Sequence, residues 1–118
     1  MKSYLLKEIR PLVLGGILIV ISALWVRQAV AGDASLGRQK AMMACAVCHG
    51  PMGLASMPSA PHLAGQVPDY LAEQLKNYRN GKRAHEVMAV IARQLTDEDI
   101  ANLAAWYASI KIAVEPNP

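Results

Sequence analysis

The chain has 118 residues, 53% of them hydrophobic, a length that fits one domain. The formal charge of +3 lies entirely in residues 1–31, where Lys2, Lys7, Arg10 and Arg27 stand against Glu8 alone; residues 32–118 balance eight bases with eight acids. A nucleic-acid binder carries its basic stripe on the folded domain, so the charge argues against that class, and two cysteines three positions apart cannot staple a disulfide scaffold.

Lys2, Lys7 and Arg10 precede an uncharged, mostly apolar run from Leu12 to Val26, and Ala29-Val30-Ala31 forms an A-x-A cleavage pattern. At about 1.5 Å per residue the run spans roughly 22 Å, short of the roughly 30 Å hydrocarbon core. This favours a signal peptide cut after Ala31. The alternative is an uncleaved anchor through residues 12–31, with Arg27 snorkelling at the outer end. Bases before the run and few after it orient the N-terminus inside and the domain outside in both cases. Residues 32–118 are therefore expected on the periplasmic side of the inner membrane, free or tethered to it.

In the exported part a first helix is expected from Asp33 or Ser35, either of which can cap it, into Met43. Gly50, Pro51, Gly53, Pro58, Pro61 and Gly65 then punctuate a loop from His49 to Gly65. So long a loop in a small domain is usually functional or wrapped around something. Pro68 opens a second helix that runs to about Asn80, with Gly81 just past its end. Tyr70, Leu71, Gln74, Leu75 and Tyr78 share one broad face. Residues 84–95 carry helical spacing at His85, Met88, Ile91 and Ala92 but are short. The last helix is the clearest. Thr96 with Asp99 forms an aspartate version of the capping box, and Ile100, Leu103, Ala104, Tyr107 and Ile110 form its apolar stripe. No segment alternates with period two, so the class is all-α.

Cys45-Ala46-Val47-Cys48-His49 is the decisive string. C-x-x-C-H is the attachment motif of c-type haem. One helical turn brings two thiols to the two vinyl groups of one porphyrin, and the next residue sets its imidazole under the iron. A thioredoxin-like redox pair would need a βαβ pattern, which is absent. A zinc site would need two more ligands at close spacing, and His62 and His85 lie 23 residues apart. The expected cofactor is one covalently bound haem c, with His49 as the proximal iron ligand.

The second axial ligand lies downstream. Met42 and Met43 precede Cys45 on the proximal side, and Met52 and Met57 follow His49 closely. Met88, 39 residues on, leaves enough chain to pass the haem edge and return on the opposite face. A methionine is more often a core filler, and His62 and His85 remain as rival ligands.

The order Cys45–His49, Pro61-His62-Leu63-Ala64-Gly65-Gln66, Tyr70-Leu71…Gln74-Leu75…Tyr78, Gly81-Lys82-Arg83, Met88, Leu95-Thr96-Asp97-Glu98 and Ile100…Leu103-Ala104-Ala105-Trp106-Tyr107 resembles a small bacterial periplasmic class I (monohaem) cytochrome c over nearly all of residues 33–111. The resemblance implies about four helices wrapped around one haem, with the first and last crossing closely where Gly37 and Ala41 meet Trp106. It also implies that Pro61 offers its carbonyl to the His49 ring N–H, and that the distal methionine falls on Met88. His62 stands where the pattern often has a small polar residue. His62 and His85 are read as surface histidines. Arg79, Lys82 and Arg83 read as a solvated basic face, with pairing to haem propionates or docking as the alternative.

The expected function is one-electron transfer between redox proteins of a respiratory or dehydrogenase chain, by a His/Met-ligated haem. Such a chain is a carrier and not an enzyme. Two rivals stand beside it: an anchored cytochrome subunit of a dehydrogenase or oxidase complex, and a haem protein whose open distal site binds a small ligand.

Overall fold

The computed structural model describes residues 31–116; the leader reading for residues 1–31 lies, but for Ala31, outside them. Among the described residues there is no strand, and no helix is long and apolar enough to cross a membrane.

Helix α1 spans Ala34–Ala44. Of the two possible caps the chain uses Asp33, whose Oδ1 accepts from the Ser35 and Leu36 N–H groups at 2.7 and 3.0 Å. Two otherwise orphaned helix donors are satisfied this way. Cys45 breaks the helix, and Ala46–His49 follow as a single turn, α2. The loop expected over 49–65 runs over residues 50–67, since His49 closes the α2 turn, and it is tied at two carbonyls. The Gly53 carbonyl accepts from Leu63 and Ala64, and the Cys48 carbonyl from Ser56 and Met57.

Helix α3 spans Pro68–Arg79, with proline in the first turn where no partner for its missing N–H is needed. Its broad face is only partly buried. Leu71 is buried, Gln74, Leu75 and Tyr78 are half-buried, and Tyr70 is exposed. The ambiguous segment resolves into helix α4, Glu86–Arg93, and the clearest one into α5, Asp97–Ser109, with both halves of the Thr96–Asp99 capping box formed.

The core is Ala41, Leu71, Leu95, Ile100, Leu103, Ala104 and Tyr107, so four of the five stripe positions on α5 are buried, and Ile110 packs on their edge. Its frame is α1 crossing α5, with α3 against α5 and α4 against α3. Gly37 makes the crossing possible. A Cβ there would overlap the Asn102 carbonyl and stand 2.9 Å from the Trp106 Cβ, so only glycine lets the two backbones meet. Ala41 is buried in the same core, with Trp106 packed against it. Asn102, itself buried, accepts from the Asp33 N–H through Oδ1 at 2.7 Å and so ties the start of α1 to α5. Arg79 fastens the other side. It donates to the Leu95 carbonyl at 3.0 Å and to Asp97, joining α3 to the corner between α4 and α5.

Candidate haem site

The break at Cys45 positions the motif. The α1 backbone ends with the Cys45 N–H on the Ala41 carbonyl, and the α2 turn closes with the His49 N–H on the Cys45 carbonyl. Cys45 and Cys48 thus sit one turn apart, both half-buried and neither in a disulfide. His49 is buried at 7% exposure. Its Nδ1 lies 2.8 Å from the Pro61 carbonyl oxygen. A carbonyl can only accept, so this contact requires the proton on Nδ1 and leaves Nε2 as the free lone pair. Loop 50–67 therefore sets both the tautomer and the orientation of the ring.

Met88 lies in the first turn of α4 and is half-buried, whereas Met43 is 74% exposed and Met42, Met52 and Met57 are also exposed. The turn bearing Met88 is held by His85. The His85 Nδ1 accepts from the Met88 N–H at 3.2 Å, capping α4. His62 has an equivalent task in the loop, where its Nδ1 accepts from the Ala55 N–H at 2.8 Å. Both histidines are exposed, as the sequence indicated, but each closes a local backbone bond that spacing alone does not reveal.

Two of the three bases of the expected basic face are used within the fold. Arg79 makes the bonds given above. Arg83 donates to Gln74 Oε1 at 2.8 Å and lies 4.7 Å from the centre of the Tyr78 ring.

A further residue meets the motif from the core. Tyr107 on α5 is 3% exposed, and its hydroxyl has no hydrogen-bond partner among the described residues. The Cys45 thiol packs on the same core cluster and is its titratable neighbour. Burial pushes both groups above their ordinary values; the contact with Tyr107 draws Cys45 partly back, and the contact with Cys45 pushes Tyr107 further up. The Tyr107 ring also lies against Gly53, where a Cβ would stand 2.9 Å from Cδ1 and 3.0 Å from Cε1. Sequence periodicity marks Tyr107 as core, but a stripe position carries no information about where its hydroxyl ends.

The donor set fits a c-type haem. Two free thiols one turn apart are followed by an imidazole whose second nitrogen is engaged, and a half-buried thioether stands on a separate helix.

The cytochrome c family model matches residues 34–111. A cytochrome c4 from Thiocapsa roseopersicina is 44% identical over 78 residues, which is 66% of this chain and 40% of the relative. The chain thus covers less than half the length of that relative. Cytochrome c-554(548) from Halomonas halodenitrificans is 43% identical over 82 residues, covering 67% of this chain and 98% of the relative. The solved cytochrome c4 of Acidithiobacillus ferrooxidans superposes with a TM-score of 0.58 at 29% identity, over 71% of this chain and 54% of that one. The chain belongs to the cytochrome c family and is a bacterial class I cytochrome c with that fold. Membership carries haem c as the covalently bound cofactor, and Cys45 and Cys48 fit its attachment motif.

Proposed function

We propose that the protein is a periplasmic electron carrier. Cys45 and Cys48 hold a single haem c, and His49 and Met88 are the axial ligands. The observation that carries this reading is the His49–Pro61 contact at 2.8 Å, which fixes a buried imidazole with one nitrogen free directly after the two thiols. Met88 is favoured over its rivals by its half-buried place on α4, since the other methionines in the described residues are exposed, and the exposed His62 and His85 accept at Nδ1, which in the neutral ring leaves the proton on Nε2. When bound, the haem supplies a one-electron ferric/ferrous couple, which a Met/His ligand pair raises in potential.

The chain's own residues hold the geometry. Pro61 orients His49, His85 caps the turn that carries Met88, and the α1–α5 crossing anchors the Cys45 end of the motif. Partners are redox proteins that meet the haem edge through small, weak interfaces. This accords with the solved relative, which is described in terms of complex-induced tuning of electron transfer. The domain reaches the periplasm through residues 1–31, cleaved near Ala31 or kept as an inner-membrane anchor.

The oxidised-state optical spectrum tests the ligand pair. Low-spin iron with the weak methionine-to-iron charge-transfer band is expected. High-spin iron would instead establish an open distal site. The intact mass of the native protein separates a free carrier, near residues 32–118 plus one haem, from an anchored subunit.

A further inference from the structure

The Pro61 carbonyl can hold His49 only if the loop holds Pro61. That loop folds back on itself in two arms, residues 53–57 and 60–64. The first arm is fastened to the motif turn. The Cys48 carbonyl accepts from the Ser56 and Met57 N–H groups at 3.1 and 3.3 Å, and the Ser56 hydroxyl donates to the Val47 carbonyl at 2.9 Å. The second arm carries Pro61 and is laced to the first. The Gly53 carbonyl accepts from Leu63 and Ala64 at 2.7 and 3.1 Å, the Ala60 N–H donates to the Met57 carbonyl at 3.1 Å, and the Ala55 N–H donates to His62 Nδ1 at 2.8 Å. Of these lacing bonds only the last uses a side chain, and it comes from the residue beside Pro61. His62 is exposed, so core packing does not fix its ring; the bond to Ala55 does. A backbone N–H can only donate, so the ring offers its Nδ1 lone pair there and keeps its proton on Nε2.

We propose that His62 is a positioning residue that, through its bond to Ala55, holds the Pro61 carbonyl on His49 and so lowers the haem's reduction potential. The proposal rests on His49 as an iron ligand. The route is continuous: Cys48 holds Ser56, the adjoining Ala55 holds His62, and the adjoining Pro61 meets His49 at 2.8 Å. An imidazole that donates its second N–H to a carbonyl is a more basic ligand. A more basic ligand favours the ferric ion. When the carbonyl is loosened, the ferrous form gains.

His62→Ala in the haem-loaded protein removes the acceptor at an exposed position and keeps the haem. The Pro61 contact is weakened and not deleted. At the wild-type midpoint the ferric-to-ferrous ratio is therefore expected to fall about two- to fivefold, on a scale where tenfold is 59 mV for one electron. Exchange of the His49 ring N–H proton, followed by NMR in the reduced protein, becomes faster. His62→Asn supplies the readout that a merely structural role would not move. Its Oδ1 is an acceptor close to where Nδ1 stands, and it restores both the potential and the slow exchange. An unchanged potential in His62→Ala overturns the proposal. So does a raised potential with His49 exchange unaltered, which takes Pro61 out of the route. An asparagine variant that behaves like the alanine one overturns the role of the acceptor. The wild-type spectrum shows separately whether the axial pair is in place, so failure of the carrier reading is distinguishable from failure of this one.

Discussion

Pro61 and His49, 12 positions apart in the chain, meet through a carbonyl oxygen and a ring nitrogen 2.8 Å apart. The bond makes the loop between them part of the site. Its backbone is closed by bonds at Gly53, Cys48 and His62. Proline adds rigidity by fixing one dihedral. Pro61→Ala keeps the carbonyl and frees the chain. It is expected to retain the His49 contact and the ligand spectrum, and to lose about 0.4–1 kcal/mol of stability through the more flexible unfolded chain. Denaturant unfolding checks the loss, and the optical spectrum checks the ligation.

The helix crossing at Gly37 leaves no room for a side chain. A Cβ there meets the backbone of Asn102, which cannot swing aside as a flexible side chain would. Gly37→Ala must push α1 from α5, opening the frame that supports Cys45. A loss of about 1–3 kcal/mol, the usual range for overpacking, is expected in denaturant unfolding. Gain of stability, as for an ordinary helical glycine replaced by alanine, would show that the crossing is looser than the structure has it.

Acid should weaken the start of α5. The Thr96 backbone N–H, with Lys40 3.0 Å away, holds the Asp99 carboxyl below its ordinary value, and the Arg79 guanidinium does the same for Asp97. A carboxyl lowered by folding contributes fully above its unfolded value, near 3.9 for Asp, and loses the contribution as pH falls through its lower folded value. Stability is therefore expected to be flat in these two groups from neutrality to about pH 5 and to fall below about pH 4. Asp99→Asn starts from a lower plateau and falls less steeply. Thr96→Ala costs about 1 kcal/mol at neutral pH through the lost cap. Unfolding midpoints across pH measure both.

Much of this was legible in the sequence because local chemistry decides it. Asp33, Thr96 and Asp99 are short polar side chains just before apolar runs, and caps are read from neighbours three residues away. Pro68 marks the start of α3 for the same reason. The C-x-x-C-H string is a chemical unit in itself. Other features depend on residues distant in the chain. Helix α4 is short and its cap is a histidine, a weak start signal, so its spacing alone did not define it. Arg79 and Arg83 read as a solvated face because their partners Leu95, Asp97 and Gln74 are brought to them by the packing of α3. Tyr70 lies at the edge of the broad face, about 100° round the helix from Leu71, and remains exposed, since the core contact of α3 is narrower than that face. Tyr107 is the extreme case. Its ring obeys the stripe, while its hydroxyl is buried without a partner among the described residues, which helical phase does not reveal.

The central claim is that Met88 and His49 together set the iron's potential. Reduction potential of the haem-loaded Met88→Ala protein, measured beside wild type with the oxidised-state spectrum, tests it most directly. The account predicts that haem stays attached through Cys45 and Cys48, the methionine-to-iron band disappears, and the potential falls sharply. A variant whose potential and spectrum match wild type would contradict it.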